Sequence, residues 1–170
     1  MDIVNFFETL AGKWFSQRTT HSLADQSSQA GQSNLFIEFL PASDTSLAVL
    51  CQPLGYNPQS ILCGLRVEQD SRLSEAAASV KSTSVMVILA PDKKGTGPLV
   101  QSHGDRPSTT GQYHLDNQIL TLTTPTPTGS IEERLWFANP NLRMRTSVIK
   151  VGEGVDRACF WSEIRMGLTR

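Results

Sequence analysis

Three cysteines and three histidines in 170 residues leave little material for metal or disulfide chemistry. Cys51, Cys63 and Cys159 show neither CxxC spacing nor an even count, which argues against a disulfide framework and a zinc site. Each lies among apolar neighbours (AVLCQPL, SILCGL, RACFWS), a setting that raises a thiol pKa and disfavours a nucleophile. His21, His103 and His114 are too scattered to form a metal cluster, so no metal is expected. Charge of one sign is also missing: 15 basic and 16 acidic residues give a net charge of -1. With no run of Lys or Arg, neither a nucleic-acid footprint nor a basic membrane patch is expected. No apolar stretch approaches the roughly 18 residues that cross a bilayer. The opening MDIVNFFETLAGKW begins with an acidic residue rather than a basic leader, so a soluble, unsecreted, cytoplasmic protein is expected. Absent too are GxSxG, GxxxxGK, HExxH and GxGxxG, which removes support for hydrolase, NTPase, zinc-protease and nucleotide-binding readings. Glu132, Glu133 and Glu163 exist, but nothing in the sequence sets two of them at the separation glycoside chemistry needs.

What is present reads as one domain over residues 1–170, long enough for one core and short for two. Asp2 before IVNFFETLAG offers a helix cap, Ile3, Phe6, Phe7 and Leu10 an apolar stripe, and Gly12 a stop: a short amphipathic helix. FSQRTTHSLA then reads as extended, with Trp14, Ser16 and Arg18 on one face. Residues 25–33 read as a loop or ragged strand end, and further strands are expected at 34–40, 46–52, 60–68 and 80–91. RLSEAAAS at 72–79 can alternatively form one helical turn, and DKKGTGP is a loop. LVQSHGD, TGQYHLD, QILTLTTP and RACFWSEIRM complete a set of nine or ten short strands. With no strand–helix alternation and no repeat, the fold class is all-β, an antiparallel meander. A sheet of that width must curl or split, and closure into a barrel with a small internal ligand space is favoured over a sandwich.

The most informative stretch is IEERLWFANPNLRMRTSVIK at 131–150, two strand-like arms around Asn139-Pro140-Asn141. Glu133, Leu135 and Phe137 share one face of the first arm, and Arg143 and Arg145 share one face of the second. On an exposed sheet these charges are ordinary. Inside a closed barrel they become binding groups, because isolated charges are too costly to bury idly. Alternation then sends Trp14, Ser16, Arg18, Glu133, Arg143, Arg145, Trp161, Glu163 and Arg165 inward, a set suited to a flat conjugated ligand with acidic arms.

Three blocks, GKWFSQRTTH at 12–21, ERLWFANPNLRMRTSVIK at 133–150 and SEIRMG at 162–167, resemble the S/U-type bilin lyases, which load open-chain tetrapyrroles onto phycobiliprotein subunits. The resemblance implies a ten-stranded lipocalin-like barrel with no permanently bound cofactor. A bilin such as phycocyanobilin is its transferred substrate, and a phycobiliprotein cysteine supplies the attacking sulfur. It associates Arg18, Glu133, Arg143 and Arg145 with the chromophore. Glu133, with Glu163 second, is the expected acid, and Trp14, Ser16, Trp161 and Arg165 are further expected contacts. Implied partners are the acceptor subunits and a second lyase subunit, as a homodimer or heterodimer. Where many relatives have Trp-Gly in the middle strand this chain reads RVEQDS at 66–71, which suits a helper subunit or a non-catalytic carrier as the alternative.

Overall fold

The computed structural model describes residues 1–73 and 78–167. Helix α1 (Ile3–Leu10) is capped as its sequence predicts, the Asn5 backbone N–H donating to Asp2 Oδ1 at 2.8 Å. Ten strands follow: β1 (Gly12–Ser22), β2 (Ser27–Pro41), β3 (Ile61–Arg72), β4 (Val80–Leu89), β5 (Thr96–His103), β6 (Thr109–Asp116), β7 (Ile119–Thr126), β8 (Gly129–Asn139), β9 (Leu142–Val151) and β10 (Gly154–Met166). Each pairs antiparallel with its sequence neighbour, and β10 pairs with β1 to close the barrel. The all-β barrel expected from the meander is the fold observed. No described helix is long and apolar enough to cross a membrane.

Closure splits every strand into a lumen face and an outer face. At one end of the lumen, Ile3, Phe6, Phe7 and Leu10 of α1 pack on Trp14, Leu35, Ile37, Cys63, Ile88, Leu99, Tyr113 and Leu120, so this end is plugged by apolar side chains. The Phe6 and Phe137 rings meet edge to face, 5.7 Å between centroids. Tyr113 is buried there with its hydroxyl donating to the Leu89 carbonyl at 2.7 Å, which satisfies its one polar atom. Toward the other end the inward residues change to Ser16, Arg18, Thr20, Ser33, Gln69 and Ser71.

Two local expectations are corrected, and a third lies outside the described residues. Residues 46–52 form no strand: Thr45–Cys51 is helix α2, because Asp44 Oδ1 accepts from the Ser46 backbone N–H at 2.9 Å and Leu47 and Cys51, four apart, bury one stripe. That helix lies outside the barrel over Leu40, Ile61, Val87, Leu89 and Val100. It sits so close that a Cβ on Gly64 would lie 2.7 Å from Leu47 Cδ2. The stretch read as a loop or ragged strand end at 25–33 is a turn only at 23–26, after which β2 begins with small polar residues that carry no apolar period. For the suggested helical turn at 72–79, residues 74–77 lie outside the described residues, and Arg72 is still strand.

Candidate functional site

Strand register arranges the inward side chains in rungs around the barrel. One rung runs Arg18 on β1, Trp161 on β10, Arg145 on β9 and Leu135 on β8, each directly opposite the next. Toward the plugged end the next rung is Ser16, Glu163, Arg143 and Phe137. Toward the open end it is Thr20, Cys159, Ser147 and Glu133. With strands about 4.8 Å apart, the Arg18 and Arg145 backbones are separated by about 10 Å across Trp161.

The lower rung is an ion cluster. Glu163 is fully buried, and its Oε1 accepts a hydrogen bond from Arg143 Nε at 2.9 Å and pairs with Arg145 Nε at 2.8 Å. Burial pushes the Glu163 carboxyl up, but the Arg145 and Arg143 charges and the Ser16 hydroxyl more than reverse it and hold the group below its usual 4.5. Burial draws the Arg143 guanidinium down to about 10, which leaves it cationic at neutral pH. Glu163, expected as a second acid, is placed as a buried carboxylate between two arginines that favour its ionised form. Arg143 is equally committed: its side chain is 3% exposed and its guanidinium lies 4.6 Å from the Trp14 ring centroid.

Trp14 and Arg165, both expected as ligand contacts, are placed at the plugged end and hold α1 in the barrel. Arg165 donates from Nη1 to the Ala11 carbonyl at 2.7 Å and from Nη2 to the Thr9 carbonyl at 2.8 Å, satisfying the helix C-terminus. Its guanidinium stacks 4.2 Å from the Trp14 ring, whose Nε1 donates to the Leu10 carbonyl at 2.9 Å. Ser16 is buried beside Glu163.

Of the residues expected from sequence, Arg18, Glu133, Arg145 and Trp161 stay partly exposed on the lumen face. The Arg145 guanidinium lies 4.4 Å from the Trp161 centroid, and its side chain is 28% exposed. Its Nε is buried 2.8 Å from Glu163 Oε1 as a charge contact without hydrogen-bond alignment. Arg18 lies along Gly31 of β2, where a Cβ would be 3.0 Å from its Nη2; the missing side chain makes room for it. Glu133 is partly buried, and among the described residues no cation lies within salt-bridge distance of it. Sequence reading did not anticipate the opposite wall, where Gln69 Nε2 donates to Ser71 Oγ at 2.6 Å and Ser33 Oγ at 3.2 Å. Its signal was a change along one face of β2 and β3, Leu35 giving way to Ser33 and Val67 to Gln69. Among the described residues no group of three or more His, Cys, Asp or Glu is disposed to hold a metal ion.

Comparison with known proteins covers the whole barrel. A family model described as CpeS-like protein matches residues 2–166. The chain belongs to the CpeS-like family. It is 39% identical to chromophore lyase CpcS/CpeS of Thermosynechococcus vestitus, covering all of this chain and 96% of that protein. It is 33% identical to the phycocyanobilin lyase subunit CpcS of a Picosynechococcus species, over 97% of this chain and 86% of that one. The solved S-type phycobiliprotein lyase CPES of Guillardia theta superposes with a TM-score of 0.83 at 28% identity, over 99% of this chain and 95% of its own. The CpeS-like assignment agrees with the resemblance carried by the three sequence blocks, and the ten-stranded barrel matches the CPES structure.

Proposed function

We propose that this CpeS-like chain is a bilin lyase or lyase subunit: it takes an open-chain tetrapyrrole such as phycocyanobilin into the lumen as a transferred substrate and promotes its attachment to a cysteine of a phycobiliprotein subunit. The observation that carries the reading is the rung Arg18, Trp161, Arg145 beneath the unpaired Glu133. Two cationic forks carried on strands whose backbones lie about 10 Å apart suit the two propionates of a linear tetrapyrrole. Trp161 between them offers a stacking face for the conjugated plane, and Glu133 offers a carboxylate to the pyrrole N–H groups. Family membership and the names of the relatives support the same reading.

In the transfer, the partner's thiolate forms a carbon–sulfur bond at the ring A ethylidene carbon while the ring takes up one proton, so nothing is oxidised or reduced. Protonation makes that carbon electrophilic. Glu133 steadies the protonated pigment or delivers the proton, a contribution of about 10² to 10⁴ in rate for a positioned acid. Arg18 and Arg145 hold the pigment extended, which limits wrong additions and presents a near-attack geometry.

The test mixes the purified chain with phycocyanobilin and an apo-acceptor subunit. An adduct that survives denaturation and fluoresces with zinc is expected, and adduct no greater than in the lyase-free control, with and without a related lyase subunit, removes the proposal. A second reading is favoured by the Ser33, Gln69, Ser71 wall, which offers hydrogen bonds where an aromatic would stack. Under it the chain is a carrier or a helper in a mixed dimer. Pigment absorbance that shifts without acceptor modification identifies a carrier; a mixed dimer whose activity survives loss of Arg18, Glu133 and Arg145 in this chain identifies a helper.

A further inference from the structure

Glu163 has no role in the pigment contacts just described, yet it is the most completely buried charge among the described residues. Its Oε1 meets the Nε atoms of two arginines from the same strand, Arg143 at 2.9 Å and Arg145 at 2.8 Å. Two guanidinium groups and one carboxylate leave a single positive charge. Exposure decides where it is available: the Arg143 side chain is 3% exposed and that of Arg145 28%. Arg145 is further bounded by the Trp161 ring at 4.4 Å. The Arg145 Nε atom is buried and has no aligned hydrogen bond, so its approach to Glu163 is a charge contact; with that edge occupied by the carboxylate and Trp161 along its plane, the arginine keeps its Nη edge for a ligand.

We propose that Glu163 is a positioning residue for Arg145: it holds the Nε edge so that the Nη fork points into the lumen and meets one carboxylate end-on. This rests on the reading of the lumen as the pigment site. A guanidinium free to rotate would meet a carboxylate equally through its Nε edge, at a different angle and height in the barrel; the ion pair removes that alternative. Arg143 is the second half of the device. Its buried charge keeps Glu163 ionised, so the clamp on Arg145 does not release near neutral pH.

Four forms of the full chain test this: wild type, Glu163→Gln, the double variant Arg143→Met/Glu163→Gln, and that double variant with Arg145→Met added. The double variant removes the buried pair as a unit, so it folds even where Glu163→Gln alone leaves Arg143 uncompensated. Two readouts are taken, phycocyanobilin affinity by absorbance titration and the Arg145 Nε–H signal in a ¹⁵N–¹H spectrum. The double variant is expected to lose about 10-fold or more in affinity, as for an arginine–carboxylate contact of roughly 1.4 kcal/mol. Adding Arg145→Met is expected to cost little more, because the two sites act as one. The Nε–H signal, expected in wild type to be shielded by burial beside Glu163, is expected in the double variant to join those of exposed arginines. Wild-type affinity in the double variant, with a full further loss on Arg145→Met, overturns the proposal and leaves Glu163 a counter-ion for Arg143. Rapid exchange of the wild-type Arg145 Nε–H also overturns it without any variant. Absence of pigment binding by the wild type removes the lumen reading instead, and the exchange measurement still decides the positioning role.

Discussion

Arg145 rests 4.4 Å from the Trp161 ring centroid, and the two residues face each other across adjacent strands in direct register. This places a cation and an aromatic plane at one height in the lumen, whereas Arg143, two residues earlier on the same strand, is sealed in the plugged end. The two arginines of the LRMRT segment therefore differ in kind. Arg145→Met is expected to weaken phycocyanobilin binding about 10- to 100-fold, the equivalent of a charged hydrogen bond of about 1.5–3 kcal/mol, with a smaller fall in melting temperature than Arg143→Met, because Glu163 keeps its hydrogen bond from Arg143. Arg143→Met is expected to do the reverse. Breaking a buried pair costs about 3–5 kcal/mol, which lowers the melting temperature by on the order of 10 °C in a chain of this size. Parallel titrations and thermal melts distinguish the two, and equal effects on both readouts would contradict the assignment.

Acid should expose the Glu163 cluster. Its carboxyl is held below the ordinary 4.5 when folded, so its contribution to stability is complete above that value and fades as pH falls through the lower folded pKa. Urea midpoints measured from pH 6 to pH 3 are expected to fall more steeply for wild type than for Arg143→Met/Glu163→Gln. Parallel curves would show that the cluster contributes no such slope.

Cysteine reactivity offers a test of the lumen itself. Cys51 and Cys63 are fully buried, and burial, with lesser acidic neighbours, pushes the Cys63 thiol up to about 12. Cys159 is only partly buried and lies on the lumen face, its Sγ 3.4 Å from Thr20 Oγ1. A maleimide is expected to modify one thiol of the native protein and all three after denaturation. Prior loading with phycocyanobilin should slow the native reaction, as read by mass spectrometry; equal rates with and without pigment would place the pigment elsewhere.

Gly64 tests the outer helix. A methyl group there meets Leu47 Cδ2 at 2.7 Å and the Met86 carbonyl at 2.8 Å, so Gly64→Ala must push α2 away or distort β4. A loss of about 1–3 kcal/mol in denaturant unfolding is expected, typical of overpacking. Pigment affinity should change little, because α2 lies outside the barrel wall.

Alternation made much of this site legible. Arg18, Glu133, Arg145 and Trp161 each follow a strand pattern that assigns a face, and closure of the meander turns those faces inward. Depth was not legible. Trp14 and Arg165 share the lumen face with Arg18 and Trp161, and only the β1–β10 register shows that they sit opposite each other against α1. For the same reason Glu163 and Glu133 looked interchangeable: nothing local in SEIRMG reveals that Arg143, on another strand, lies directly across from its glutamate. Helix α2 was hidden by its composition. LAVLC is apolar without interruption, and such a run is equally a buried strand until the Asp44 cap is given weight.

The first and tenth strands meet from Lys13 to Ser22, and the Arg18–Trp161 register pair lies on that seam. A partly folded chain can therefore possess every hairpin in the protein and still have no place for a pigment. Long-range pairing of this kind forms slowly, so competence arrives as a late, all-or-none event. Lesions that loosen the seam should yield a protein rich in sheet yet colourless, with damage far from any pigment contact mimicking loss of the contact itself.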